Sequence, residues 1–128
     1  MIMTVPATQS ELRAFLESVT HPITGTKGGA AREMATPVIL MTRSREGRPA
    51  DAADPVVDER KVSLNHSYAV VGAYLDAENP GSEWISLRNP LGSRHLFEFS
   101  LKDLLIGDPQ QPEVHLFRSF VVGRLASK

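Results

Sequence analysis

The 128-residue chain contains no cysteine, and this absence removes more chemistry than any other feature of its composition. Disulfides, thiolate metal sites and a thiol nucleophile within the chain are all excluded. Aromatic residues make up only 6%, which leaves aliphatic side chains to build most of the core. Excess charge of either sign is also missing, since 14 Lys and Arg face 15 Asp and Glu for a formal net charge of −1. A chain so balanced offers no overall field for phosphate backbones or anionic lipid, so nucleic acid and membrane are poor candidates as partners. No apolar run approaches the roughly 20 residues that cross a bilayer. The start, Met1-Ile2-Met3-Thr4-Val5-Pro6, lacks the basic and apolar regions of a secretion signal, and a cytoplasmic location is expected.

At 41% hydrophobic, a chain of this length can bury one core, so residues 1–128 are expected to form a single unit. Within it, 1–33 reads as an N-terminal helix and a glycine-rich connection, and 34–128 as a β-rich lobe. Thr8 and Glu11 match a capping box, and Leu12, Phe15, Leu16 and Val19 follow at helical spacing until Pro22, which predicts a helix over 9–19. Thr24 to Gly29 has the glycines of a phosphate loop but not its Gly-Lys-Ser/Thr ending, and reads as a plain connection. Ala30 to Ala35 is expected to add a helical turn before Pro37. The run Val38 to Thr42 suits a buried strand, and the polar stretch Arg43 to Arg60, with Gly47, Pro49 and Pro55, reads as a long exposed loop.

Ser67 to Leu75 cannot expose both faces and reads as a central strand; Asp76 to Ser82 has turn chemistry; Trp84 to Arg88 supplies the return strand. A strand around Leu96 to Phe99 leads into a short helix begun by Ser100 with Asp103 at its capping position. Val114 to Phe117 and Phe120 to Leu125 are the candidate closing strands. The fold class is therefore α+β, mainly antiparallel sheet with barrel-like curvature and few short helices.

The hairpin gives two residues a joint meaning. His66 precedes its first strand and Asn89 ends its second, so both lie at the same end of the ribbon. A register centred on the turn sets His66 opposite a position two or three residues beyond Asn89, and direct contact then requires a bulge or a strong local twist. With contact, the Asn89 carbonyl accepts from one imidazole nitrogen and leaves the other to exchange a proton with a nucleophile.

The segments around these residues resemble a known family. His66-Ser67-Tyr68-Ala69-Val70 is similar to the Gly-His-Ala-Tyr-Ser-Val segment of the calpain-type cysteine proteases, and Leu87-Arg88-Asn89-Pro90-Leu91-Gly92 to their Leu/Ile-Arg-Asn-Pro-Trp-Gly. Phe97 to Leu105 resembles the strand and short helix that follow, so the resemblance covers about Met34 to Leu105. It implies the β-rich lobe of a papain-like fold over 34–128, with His66 as catalytic histidine and Asn89 as catalytic asparagine. It also implies a protein or peptide substrate and a cysteine supplied by a complementary lobe, absent here. Asn65 stands where the family has glycine, Ser67 where it has alanine, and Leu91 where a tryptophan normally shields the His-Asn bond from water.

The isolated chain is expected to be inactive, because covalent catalysis and the oxyanion donors belong to the missing lobe. A non-catalytic module that keeps the lobe for protein binding or regulation is the alternative. The lobe face that packs on the cysteine lobe would be exposed and apolar, which predicts partner binding or self-association. The chemistry requires no cofactor. Asp51, Asp54, Asp58 and Glu59 carry charge that could attract calcium, without the spacing or glycine of an EF-hand loop. His21, His66, His95 and His115 lack paired zinc spacing, and Ser63 and Ser67 flank His66 without a nucleophile elbow. Asn65-His66-Ser67 formally matches a glycosylation sequon, a weak reading without a secretion signal. Trp84 is expected to be a core or lobe-interface anchor.

Overall fold

Thr8 starts the longer of two helices in the computed structural model, which describes residues 1–25, 29–49, 51–57, 60–89 and 96–123. Its hydroxyl accepts from the Glu11 backbone N–H at 3.2 Å and donates to the Glu11 carboxylate at 2.8 Å, closing the capping box. Helix α1 (Gln9–Val19) then buries Leu12, Leu16 and Val19 along one stripe. Thr20 stops it with extended backbone, its hydroxyl turned back to the Leu16 carbonyl at 2.6 Å. Helix α2 (Leu101–Leu104) repeats the logic in miniature, with the Ser100 hydroxyl accepting from Asp103 N–H at 3.1 Å.

Eight of the strands join in one antiparallel sheet. These are β1 (Ile2–Thr4), β2 (Thr20–Pro22), β3 (Ala31–Met34), β4 (Val38–Thr42), β7 (Ser67–Tyr74), β8 (Trp84–Arg88), β9 (Leu96–Ser100) and β12 (Phe117–Val122). Two small hairpins stand beside it, β5 (Val56–Val57) with β6 (Arg60–Lys61) and β10 (Gly107–Asp108) with β11 (Gln111–His115). β7 is the hub: β4 pairs with its first half and β3 with its last residues, while β8 pairs along its length. The order β1-β12-β4-β7 continues through β8 to β9. The architecture is thus α+β and predominantly antiparallel.

Ladder partners point to the same face of a sheet. One row, Met3, Phe120, Leu40 and Tyr68, faces inward beneath α1, where Phe120 and Leu40 are fully buried and Phe15 packs on Phe120 at a ring-centroid distance of 4.6 Å. Each such buried apolar side chain contributes about 1.5–3 kcal/mol relative to exposure. The neighbouring row, Ile2, Val121, Ile39, Ala69, Arg88 and Leu96, lies on the opposite face, where Ile2, Ile39 and Leu96 are exposed. β4 therefore alternates buried Val38, Leu40 and Thr42 with exposed Ile39 and Met41, and is half-buried rather than buried throughout. Trp84 lies on this outer face as well, stacked on Tyr74 at 5.9 Å.

The expected helical turn at Ala30 to Ala35 is instead strand β3. Its Ala-Arg-Glu-Met favours helix locally, but pairing with β2 on one side and β7 on the other overrides that preference. Residues 1–33 thus add β1, β2 and most of β3 to the sheet, besides a helix and a connection whose residues 26–28 fall outside the described ones. The closing strands also shift: β11 starts at Gln111, ahead of the expected Val114, and β12 at Phe117, ahead of the expected Phe120.

The turn end of the β7–β8 hairpin is locked by a buried carboxylate. Glu83 receives Arg13 through Nε at 2.5 Å and Nη2 at 2.8 Å, Gln9 Nε2 at 2.9 Å and Asp76 N–H at 2.9 Å. Burial pushes its carboxyl up, but the bonds from Arg13, Gln9 and Asp76 outweigh burial and hold it below the ordinary glutamate value. The bond to Glu83 correspondingly raises Arg13.

Candidate functional site

At the other end of the hairpin, His66 and Asn89 meet. The β7–β8 ladder runs from Tyr74 opposite Trp84 to Gly72 opposite Ser86, then slips one residue so that Val70 faces Leu87 and Ala69 faces Arg88. This bulge draws the two chain ends closer in register. His66 Nε2 comes to 3.1 Å from Asn89 Oδ1 across 23 residues of sequence, with both residues half-buried.

The chain before His66 is shaped to deliver it. Asn65 sits at φ 51°, in the left-handed region that asparagine tolerates and most side chains avoid, and its N–H donates to the Arg43 carbonyl at 2.7 Å. His66 N–H donates to Thr42 Oγ1 at 3.1 Å, and Thr42 N–H donates to the His66 carbonyl at 3.0 Å. The imidazole then lies edge-on against Tyr68 at a centroid distance of 4.9 Å. Tyr68 is itself fixed, its hydroxyl accepting from Ser63 N–H at 3.1 Å and its ring packed against Phe97 at 5.9 Å.

The contact favours one tautomer of the neutral imidazole: a carboxamide oxygen only accepts, so a proton on Nε2 points at Asn89 and leaves the lone pair on Nδ1. Among the described residues no hydroxyl or carboxylate hydrogen-bonds to the His66 ring, so Ser63 and Ser67 do not act as partners to it. Leu91, where the family has its shielding tryptophan, and His95 lie outside the described residues with the rest of 90–95.

Beneath the site is a buried polar cluster that sequence reading missed. The stretch from Arg43, expected as an exposed loop, begins with an arginine only 6% exposed. Its Nη1 reaches Asp108 at 3.2 Å and also bonds Gln111, its Nε donates to the Ser44 carbonyl at 2.8 Å, and its Nη2 bonds the Glu46 carbonyl. Arg48 inserts its own guanidinium onto Asp108, and Val57 joins the core, while Arg45 remains at the surface and pairs with Asp54 at 2.5 Å. Burial pushes Asp108 up, but the bonds from Arg48 and Gln110 N–H and the charges of Arg48 and Arg43 hold it below the ordinary aspartate value. Charges follow the loop inward because each has a partner, and those partners lie 60 and 65 residues away, beyond any local sequence signal.

The remaining ligand-type residues are dispersed. His21 is exposed beside Glu33 at 3.5 Å, His115 is exposed, and Asp58 and Glu59 lie outside the described residues. Among the described residues no three His, Asp or Glu side chains converge on a common point, and no helix is long and apolar enough to cross a membrane. No family model, curated protein or solved structure matches the chain, and the site is defined by the geometry of His66, Asn89 and the groups that hold them.

Proposed function

We propose that this chain is the His-Asn lobe of a calpain-type cysteine endopeptidase, papain-like in fold, whose nucleophile is supplied by a separate cysteine-bearing lobe. The observation that carries the reading is the 3.1 Å contact from His66 Nε2 to Asn89 Oδ1, made by two segments that resemble the family's own. Asn65 adds support, because a left-handed residue stands at the position where the family has glycine.

In this reading Nδ1 of His66 takes the proton of the partner's thiol, and the thiolate adds to the scissile carbonyl of a bound peptide. The imidazolium, oriented by Asn89, returns the proton to the leaving amine, and water then hydrolyses the thioester with His66 again as base. No cofactor enters these steps, and a reducing cytoplasm suits the thiolate.

A second reading, a non-catalytic module for protein binding, draws on the absence of cysteine and on the exposed apolar row of Ile2, Ile39 and Leu96. One experiment separates them. The chain is mixed with a calpain-like cysteine lobe and cleavage of a fluorogenic peptide is measured with and without His66→Ala. Cleavage that depends on His66 is the expected result, while stable pairing without cleavage favours the second reading. Turnover by the pure chain alone would overturn the proposal that its nucleophile comes from outside.

A further inference from the structure

We propose that Thr42 is a positioning residue for His66, its buried hydroxyl turning the His66 peptide out of the sheet so that the ring meets Asn89. The inference rests on the acid-base reading of His66. The β4–β7 ladder pairs Leu40 with Tyr68 and Met41 with Ser67, so Thr42 and His66 are the next partners. In a continued ladder this pair would exchange two main-chain bonds. One is made, from Thr42 N–H to the His66 carbonyl at 3.0 Å. The other is replaced: His66 N–H goes to the Thr42 hydroxyl at 3.1 Å.

That hydroxyl is fully used. It accepts from His66 and has one proton to donate, which the Ser63 carbonyl at 2.8 Å takes in preference to the His66 carbonyl at 3.2 Å. Thr42 is 4% exposed, so water does not compete freely for these bonds. One side chain therefore spans the turn from Ser63 to His66, and the left-handed Asn65 between them completes the change of direction. Its β-branched stem restricts χ1 and holds the hydroxyl in place. Arg43, the next residue, bonds Asn65 through its carbonyl and Asp108 through its side chain, which ties the turn to the buried cluster.

The test reads the imidazole directly. In the ¹⁵N-labelled full chain, with the signal assigned by His66→Gln, long-range ¹H–¹⁵N correlation should show neutral His66 predominantly protonated on Nε2. Thr42→Ser, which keeps the hydroxyl, should preserve that tautomer, while Thr42→Val, which keeps the shape and removes it, should mix the two tautomers. Thr42→Ala, which leaves room for water, provides the same readout if the valine variant does not fold. Amide signals around Glu83, at the far end of the hairpin, report whether the fold is intact. A folded Val or Ala variant that retains the wild-type tautomer would overturn the proposal.

An independent arm uses the reconstituted enzyme. There Thr42→Val should lower kcat by at least about tenfold with KM little changed, and Thr42→Ser should stay within about threefold, as for loss and retention of an oriented acid-base group. A kcat unchanged by Thr42→Val would count against the proposal. Absence of any cleavage by the wild-type pair would defeat the peptidase reading while the tautomer measurement still decides the role of Thr42.

Discussion

The two ends of the β7–β8 hairpin are built to opposite specifications. At the turn, Glu83 is buried and accepts from two nitrogens of Arg13, from Gln9 and from the backbone of Asp76, so its capacity is saturated by protein. At the open end, His66 and Asn89 stay half-buried and share one hydrogen bond between their side chains. A saturated carboxylate fastens α1 to the hairpin and has nothing left to offer a substrate. An imidazole with one nitrogen satisfied leaves the other able to exchange a proton. On the proposed reading, stability and chemistry are thus separated along a single ribbon.

The sharpest way to break this contrast is Glu83→Gln. It leaves Arg13 without its counter-charge in a mostly dry site, where breaking a buried pair typically costs about 3–5 kcal/mol. The urea midpoint should fall accordingly with little change in slope. The same variant has a pH signature. Because Glu83 is held below the ordinary glutamate value of about 4.3, its ionised form contributes stability that is fully present above that value and lost as pH falls through the lower folded value. Stability of the wild type should therefore decline on acidification, and the Gln variant should lose part of that decline. A variant as stable as wild type, with the same acid limb, would refute the role of Glu83.

Asp108→Asn should come next, at about 2–3 kcal/mol, because it weakens the anchoring of two guanidinium groups while the neighbouring carbonyls and Gln111 still hold Arg43. Its pH dependence has the same sign, since the folded-state value is again depressed. Unlike the change at Glu83, this one should also reach the site, through Arg43 and Thr42. The ¹⁵N signals of His66 should move in Asp108→Asn and stay fixed in Glu83→Gln. Movement in neither variant would show that the cluster and the site are uncoupled.

These two clusters also mark where sequence reading succeeds and where it stops. The bounds of α1 follow from Thr8, Glu11 and an apolar stripe, all local signals, and the structure starts and ends the helix at the expected residues. The cap of α2 at Ser100 and strand β8 were legible for the same reason. His66 and Asn89 could be placed at one end of a ribbon, yet their contact depends on the slip between Val70 and Gly72, which no residue type announces. β3 runs against its local signal because Ala31 to Met34 is helix-favouring and only its neighbours make it a strand. The burial of Arg43 and Arg48 was invisible because a charged loop reads as exposed until Asp108 and Gln111 are brought beside it. In the sequence Thr42 is only the end of a strand, and its hydrogen bonds to His66 appear once β4 and β7 are aligned.

Asn65 offers a smaller and more pointed change. An alanine at φ 51° should cost about 1–2 kcal/mol, whereas glycine should be tolerated within a few tenths, because only the alanine meets the left-handed penalty. Equal destabilisation by both, measured by thermal midpoint, would show that the asparagine side chain rather than its backbone conformation matters.

The smallest effect on stability should accompany the largest effect on chemistry. Asn89→Ala removes the half-buried hydrogen bond to His66, of a kind worth about 0.5–1.5 kcal/mol. Yet it frees the imidazole to choose its tautomer and to swing about χ1, so a reconstituted enzyme should lose a large part of the about 10²- to 10⁴-fold that an oriented acid-base group provides. Paired with Glu83→Gln, it forms a crossed test: one variant should melt early and retain its specific activity well below its melting point, the other should melt near wild type and cleave poorly. If both lose stability and activity in parallel, the two ends of the hairpin are one cooperative unit and their division of labour fails.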